Sequence, residues 1–221
     1  MKPELEQEIH DLVVNNRFPS LEFDPKTFSI MEKMDPQEKL ELIQQMVSKI
    51  QSGSFILESA RVLCLQGAPA YPQIPLLLQI IVDKRINYNA KGAVCDSLLL
   101  LQDGFQPFFP LMKEMLLQEL AGPAFQSRRA LKNSLPSYPL AKLDFASAPI
   151  CLVELLSFCD FVDKESVIAL KKWYELSIVL GEEGFVGVPN AAQKALFRAQ
   201  ERYTMKAGGV TSQKKPFWKF W

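Results

Sequence analysis

Apolar residues recur along this chain at helical rather than strand spacing, most clearly between Pro75 and Gly104. Leu76, Leu77, Ile80 and Ile81 fall on one side of a helix, and Leu78 and Val82 fill the other. That pattern predicts a helix buried between neighbours. A buried strand would carry more β-branched residues than this Leu- and Gln-rich run. Pro75 suits a first helical turn, where no backbone N–H is needed. A second helix follows, with Ala90, Ala93, Val94, Ser97, Leu98 and Leu101 on one face. Asn89 is its expected N-cap and Gly104 its expected stop.

The unit recurs. Pro36, Pro75, Pro110, Pro149 and Pro189 each precede an apolar or amphipathic run, at spacings of 39, 35, 39 and 40 residues. The runs are Leu40, Ile43, Met46, Val47 and Ile50, then Leu76 to Val82. Leu111, Met112, Met115, Leu116 and Leu120 come next. The last two are Ile150, Val153, Leu156 and Cys159, and then Ala192, Ala195, Leu196, Ala199 and Tyr203. A second helical segment lies between successive prolines, for instance Ser54 to Gln66 after the helix that Asp35 caps. Helix pairs repeating about every 40 residues resemble HEAT and armadillo arrays.

The resemblance implies an all-α fold. It would be a right-handed superhelix of about four to five HEAT-like helix pairs over residues 36–206. Residues 1–35 would form an N-terminal helical cap: a first helix with Leu5, Ile9, Leu12 and Val13 on its apolar face, then a short helix from Asp24-Pro25, with Phe28, Ile30 and Met31, that closes a repeat lacking one neighbour. Residues 207–221 form a basic, aromatic tail. Leu135 to Ala148 reads as the longest internal connection, with Ser147 capping a helix at Pro149 and Tyr138 and Phe145 anchoring it. It is the expected place for a domain boundary. Asp163 to Leu180 reads as the longest helix, striped by Val167, Leu170, Tyr174 and Ile178, with Trp173 near one edge. Gly181 to Gly187 reads as a flexible connector, because Glu182 and Glu183 would repel a phosphate and no Lys-Ser/Thr follows.

Charge is balanced overall but not along the chain. Met1 to Asp35 carries −4, and Val186 to Trp221 carries +6. In the last helix Lys194, Arg198, Arg202 and Lys206 recur every four residues, a stripe that drifts around the helix by about 120° and reads as one broad basic face beside the apolar face of Ala192 to Tyr203. Beyond it Lys214, Lys215 and Lys219 alternate with Phe217, Trp218, Phe220 and Trp221. Such a tail could fold back on the body, dock into another protein, enter an anionic membrane surface or stack on nucleic-acid bases. By resemblance, the second helix of a pair lines a concave face. That would bring Arg128, Arg129 and Lys132 toward a ligand.

Chemistry is sparse. His10 is the one histidine and is expected on the N-terminal helix, away from any candidate acid–nucleophile constellation. There is no GxSxG, HExxH, Cys-x-x-Cys or glycine fingerprint. Cys64, Cys95, Cys151 and Cys159 sit inside apolar runs without metal-ligand spacing and read as buried free thiols. Carboxylate catalysis needs no motif and stays open. No 18-residue apolar run is present, and the acidic N-terminus does not resemble a secretory signal, so a cytoplasmic location is expected.

The expected function is therefore non-catalytic, with no catalytic residue, metal or cofactor. The chain would bind a protein, either acidic or bearing an aromatic-binding groove, through its concave face and basic tail. The alternative is an anionic polymer or membrane surface, including the reading of a HEAT-like DNA-repair glycosylase. The self-association state is left open.

Overall fold

A computed structural model of the chain describes residues 33–53, 55–160 and 162–207, with only the backbone of residues 102, 103, 206 and 207. The N-terminal cap with His10, and the tail with Lys214, Lys215, Phe217, Trp218, Lys219, Phe220 and Trp221, lie outside the described residues. Among those described, the regular structure is helical throughout, with nine α-helices and short 3-10 segments. None of these helices is long and apolar enough to cross a membrane. The chain divides into two compact units, residues 1–108 and 109–221.

The first unit contains α1 (Pro36–Gln51), α2 (Ile56–Cys64), α3 (Ile74–Val82) and α4 (Tyr88–Leu99). Asp35 opens α1 as expected, through a capping box. Its Oδ1 accepts from the Glu38 N–H at 2.9 Å, and the Glu38 carboxylate accepts from the Asp35 N–H at 3.2 Å. Leu42, Ile43, Met46 and Ile50 bury their side chains, whereas Leu40 is 49% exposed. The apolar face is thus centred on Leu42 and Met46, and Leu40 falls outside it.

Helix α3 is buried almost all round, through Ile74, Leu77, Leu78, Ile80 and Ile81. Asn87, not Asn89, caps α4, because its Oδ1 accepts from the Ala90 N–H, three residues on, at 2.9 Å. Gly104 does not stop α4. It lies in the 3-10 segment Gln102–Phe108 under the Tyr71 ring, in space that a Cβ would occupy. Helix α2 packs on α1 and α4, and α3 packs on α4.

The second unit contains α5 (Phe109–Ala121), α6 (Arg128–Ser134), α7 (Pro139–Phe158), α8 (Lys164–Glu182) and α9 (Gly187–Ala207). Here the expected connection at 135–148 is corrected. Pro139 opens α7, which then runs for 20 residues with Pro149 inside it. Ala146, Ser147, Ala148 and Pro149 are all buried, so packing holds the helix through the one hydrogen bond that Pro149 removes. Ser147 caps nothing; its hydroxyl donates back to the Asp144 carbonyl at 2.7 Å. Phe145 does anchor this stretch, stacking on Phe125 at 5.7 Å, while Tyr138 is 66% exposed.

Two further expectations change. Helix α8 has 19 residues and is outlasted by α7 with 20 and α9 with 21. Its buried face is Ala169, Leu170, Trp173, Leu176, Ser177 and Leu180, and Trp173 is 1% exposed rather than at an edge. The expected connector shrinks to a turn, with Gly184 at φ +98° and Gly187 already opening α9. Helix α8 lies along α9 and also meets α5, α6 and α7, while α7 packs on α5 and α9. At Gly181 the two long helices come so close that a Cβ would sit 2.9 Å from Cγ of Pro189.

Polar side chains tie these helices over long sequence distances. Lys113 bridges Asp163 at 2.8 Å and Glu165 at 2.7 Å. Lys142 pairs with Glu183 at 2.5 Å, and Lys172 donates to the Leu120 carbonyl at 2.6 Å. That carbonyl lies in the last turn of α5, where a cation complements the helix dipole.

Candidate partner-binding groove

The helical stripe on α9 is built as its period dictates, but it does not make one surface. Each step of four residues turns about 40° farther round the axis. Lys194 therefore points outward, Arg198 stands at the edge of the interface and Arg202 is half-buried. The Arg198 guanidinium lies 5.6 Å from the centre of the Phe158 ring, within cation–π range. Arg202 donates to the Ser157 carbonyl at 3.1 Å and to the Cys159 carbonyl. Those carbonyls end α7, so Arg202 serves as a cap across the interface. The backbone of Lys206 continues α9.

Where Lys194 and Arg198 stand, α7 and α9 leave a cavity of ≈ 240 Å³. Its walls are apolar: Ile150 and Val153 from α7, Trp173 from α8, and Val188, Ala191 and Ala195 from α9. The small alanines on α9 open this space. Glu154 and Phe158 on α7 and Lys194 and Arg198 on α9 also line it. Each pair is four residues apart, so each occupies one flank of its helix. Phe158 is 46% exposed, and Glu154, Lys194 and Arg198 are exposed as well.

Arg128, Arg129 and Lys132 lie elsewhere, on the exposed side of α6. Arg128 donates through Nε to the Glu175 carbonyl at 3.0 Å, and none of the three lines the cavity. The sequence reading singled out Lys194 and Arg198 only as part of a basic face, and these two line the groove. It missed Glu154, Phe158 and Trp173 as groove residues, because the meeting of α7, α8 and α9 is set by tertiary packing.

The ionisable groups of this unit have structural causes for their behaviour. Burial raises the Asp163 carboxyl, but hydrogen bonds from Lys113 and Ser166 outweigh it and leave the group below the usual range. Lys142 lowers Glu183 in the same way. All four cysteines are free and buried, and burial pushes the Cys64 and Cys159 thiols up to about 12. At that value both thiols are protonated at neutral pH. No cluster of three metal-ligating residues occurs among the described residues.

No protein-family model, no curated protein and no solved structure matches this chain.

Proposed function

We propose that this chain is a non-catalytic interaction module that binds a partner protein, with the groove between α7 and α9 receiving one apolar side chain of that partner. The cavity of ≈ 240 Å³ carries the reading. It falls short of the roughly 300–1,000 Å³ of cofactor and drug-sized sites. It suits a single anchor side chain, the usual centre of a protein interface. The helix pairs would be a HEAT-like array, a reading supported by the packing of α2 on both α1 and α4 and of α3 on α4. Four buried free thiols fit a reducing compartment such as the cytoplasm. The alternative, a phosphate polymer or anionic surface, has weaker support. Arg202, the third cation of the stripe, is engaged by backbone carbonyls, which leaves fewer cations for a phosphate track.

A photo-crosslinking amino acid at position 191, inside the groove, compared with one at 193 on the outer flank of α9, tests the proposal in living cells. Ala191 and Gln193 are both exposed, and only Ala191 lines the cavity. A protein adduct formed at 191 and not at 193 is the expected result. Equal labelling at both positions, or none at either, would remove the groove from the function.

A further inference from the structure

The chemistry of the rim says more about the occupant than the cavity alone. Resting on the groove as a docking site, we infer that it selects a partner segment in which an aromatic or aliphatic anchor is followed or preceded, within about two residues, by an aspartate or glutamate. Three observations lead there.

The first is the sign of the rim. Lys194 and Arg198 contribute two positive charges against the one carboxylate of Glu154. A second cation on a small rim raises the local potential for an incoming acid, and apolar walls behind it sharpen the field.

The second is how Arg198 is held. Its contact is the face of the Phe158 ring, and among the described residues no carboxylate or carbonyl accepts from it. A guanidinium held over a ring by its charge uses none of its N–H donors there and keeps them for an acceptor. Arg202, one turn along, shows the opposite case, with its donors engaged by the end of α7. The same helix thus carries one arginine committed to the fold and one presented at the groove. A carboxylate can take the N–H edge of Arg198 in a two-point contact while the ring contact stays intact.

The third is the distance between anchor and charge. Arg198 and Lys194 line the same cavity as Ala191, Ala195 and Trp173. A side chain seated among these walls brings its own neighbours to the rim. Adjacent residues of an extended segment are about 3.3 Å apart in rise, so the acid belongs close to the anchor in sequence. The chain's own tail does not meet this requirement. Residues 208–221 carry Lys214, Lys215 and Lys219 and no acidic residue. Charge therefore argues against the tail as the occupant.

The test is selection from a phage-displayed random dodecapeptide library on the immobilised full-length protein at roughly physiological salt. Enriched peptides are synthesised, and their affinities are read from Trp173 emission in full-length W218F/W221F. The chain has three tryptophans, so this variant leaves Trp173 as the one indole, at the cavity wall. Two variants report on the site. Ala191→Leu fills the groove from an exposed position, and Lys194→Glu with Arg198→Glu reverses the rim.

The expected consensus is an anchor with a nearby acid, and its affinity falls about tenfold or more in both variants. Peptides that need the groove but lack an acid, or ignore the charge reversal, overturn this inference and leave the docking site standing. Peptides indifferent to Ala191→Leu overturn both. Binding of a twelve-base-pair DNA duplex that the charge reversal abolishes, with no groove-dependent peptide recovered, also overturns both and assigns the cations to phosphate.

Discussion

The two compact units solve the same problem, burying helices against one another, by different means. In the first, the hydrogen bonds of Asp35, Asn87 and Asp83 act close to home. Asp35 caps three residues ahead, Asn87 does the same, and Asp83 and Arg85 pair across two residues. In the second, Lys113, Arg128, Lys142, Lys172 and Arg202 reach partners 41 to 52 residues away in sequence. Several of these partners are carbonyls in the last turn of a helix, where the dipole already favours a cation. Local capping sets where helices begin. Distant capping sets which helices lie together. The groove lies at the start of α9, and the Arg202 tie lies farther along it.

The contrast can be broken by substitution, and the largest effect is expected at Trp173. It is 1% exposed, 6.3 Å from the Phe125 ring and part of the cavity wall. Trp173→Ala should cost about 3–5 kcal/mol in urea unfolding, since the lost side chain enlarges an existing void. Next is Arg202→Met, which keeps the stem and removes the donors. A loss of about 1.5–3 kcal/mol is expected from stranding two carbonyls that now receive a charged donor. Lys194→Met on the same stripe should lie within about 0.5 kcal/mol of the parent. If the two changes prove equal, the division between fold-holding and presented cations is wrong.

In the first unit Asn87→Ala should cost about 1 kcal/mol, the ordinary value of a local cap. Phe55 offers a change of opposite sign. It precedes α2 at φ 51°, ψ 43°, the left-handed region that a bulky residue seldom adopts, and it is 48% exposed. Phe55→Gly should raise the unfolding free energy by roughly 0.5–1 kcal/mol.

The smallest effect should appear with pH. Asp163 sits below its ordinary value in the folded chain, so the stability it confers is complete above the unfolded value of about 3.9 and is lost as pH falls through the folded one. Lys113→Met should flatten the decline in urea midpoint between about pH 5 and pH 2. An unchanged acid slope would show that Lys113 does not set the Asp163 equilibrium.

Much of the first unit was legible because its signals are short. The apolar run after Pro75, the proline at the first turn and the acid before Pro36 each act within one helical turn. Even the error at Asn89 was a shift of two residues between two good caps. The second unit defeated the same rules at Pro149, where a proline marked the middle of α7 rather than its start. Local propensity opposes that placement, and only the packing of Ala146, Ala148 and Cys151 against other helices supports it. The groove was half legible. Periodicity placed Lys194 and Arg198 on one flank of α9, but nothing local could tell that Arg202 would find the end of α7. The cavity itself follows from the meeting of Ala191 and Ala195 with Val153 and Trp173, which is a fact of tertiary packing.

Gly181 has a consequence for evolution. Its bare Cα lets Pro189 seat against α8, which fixes how closely the first turn of α9 approaches. Val188 and Ala191, which flank that seat in sequence, form part of the cavity wall. A methyl group at 181 would act as a shim, displacing the first turn of α9 by tenths of an ångström while leaving every lining residue unchanged. Mutation there would retune the calibre of the cavity without altering its lining, so under the proposed docking role specificity would change through a position that the occupant does not touch.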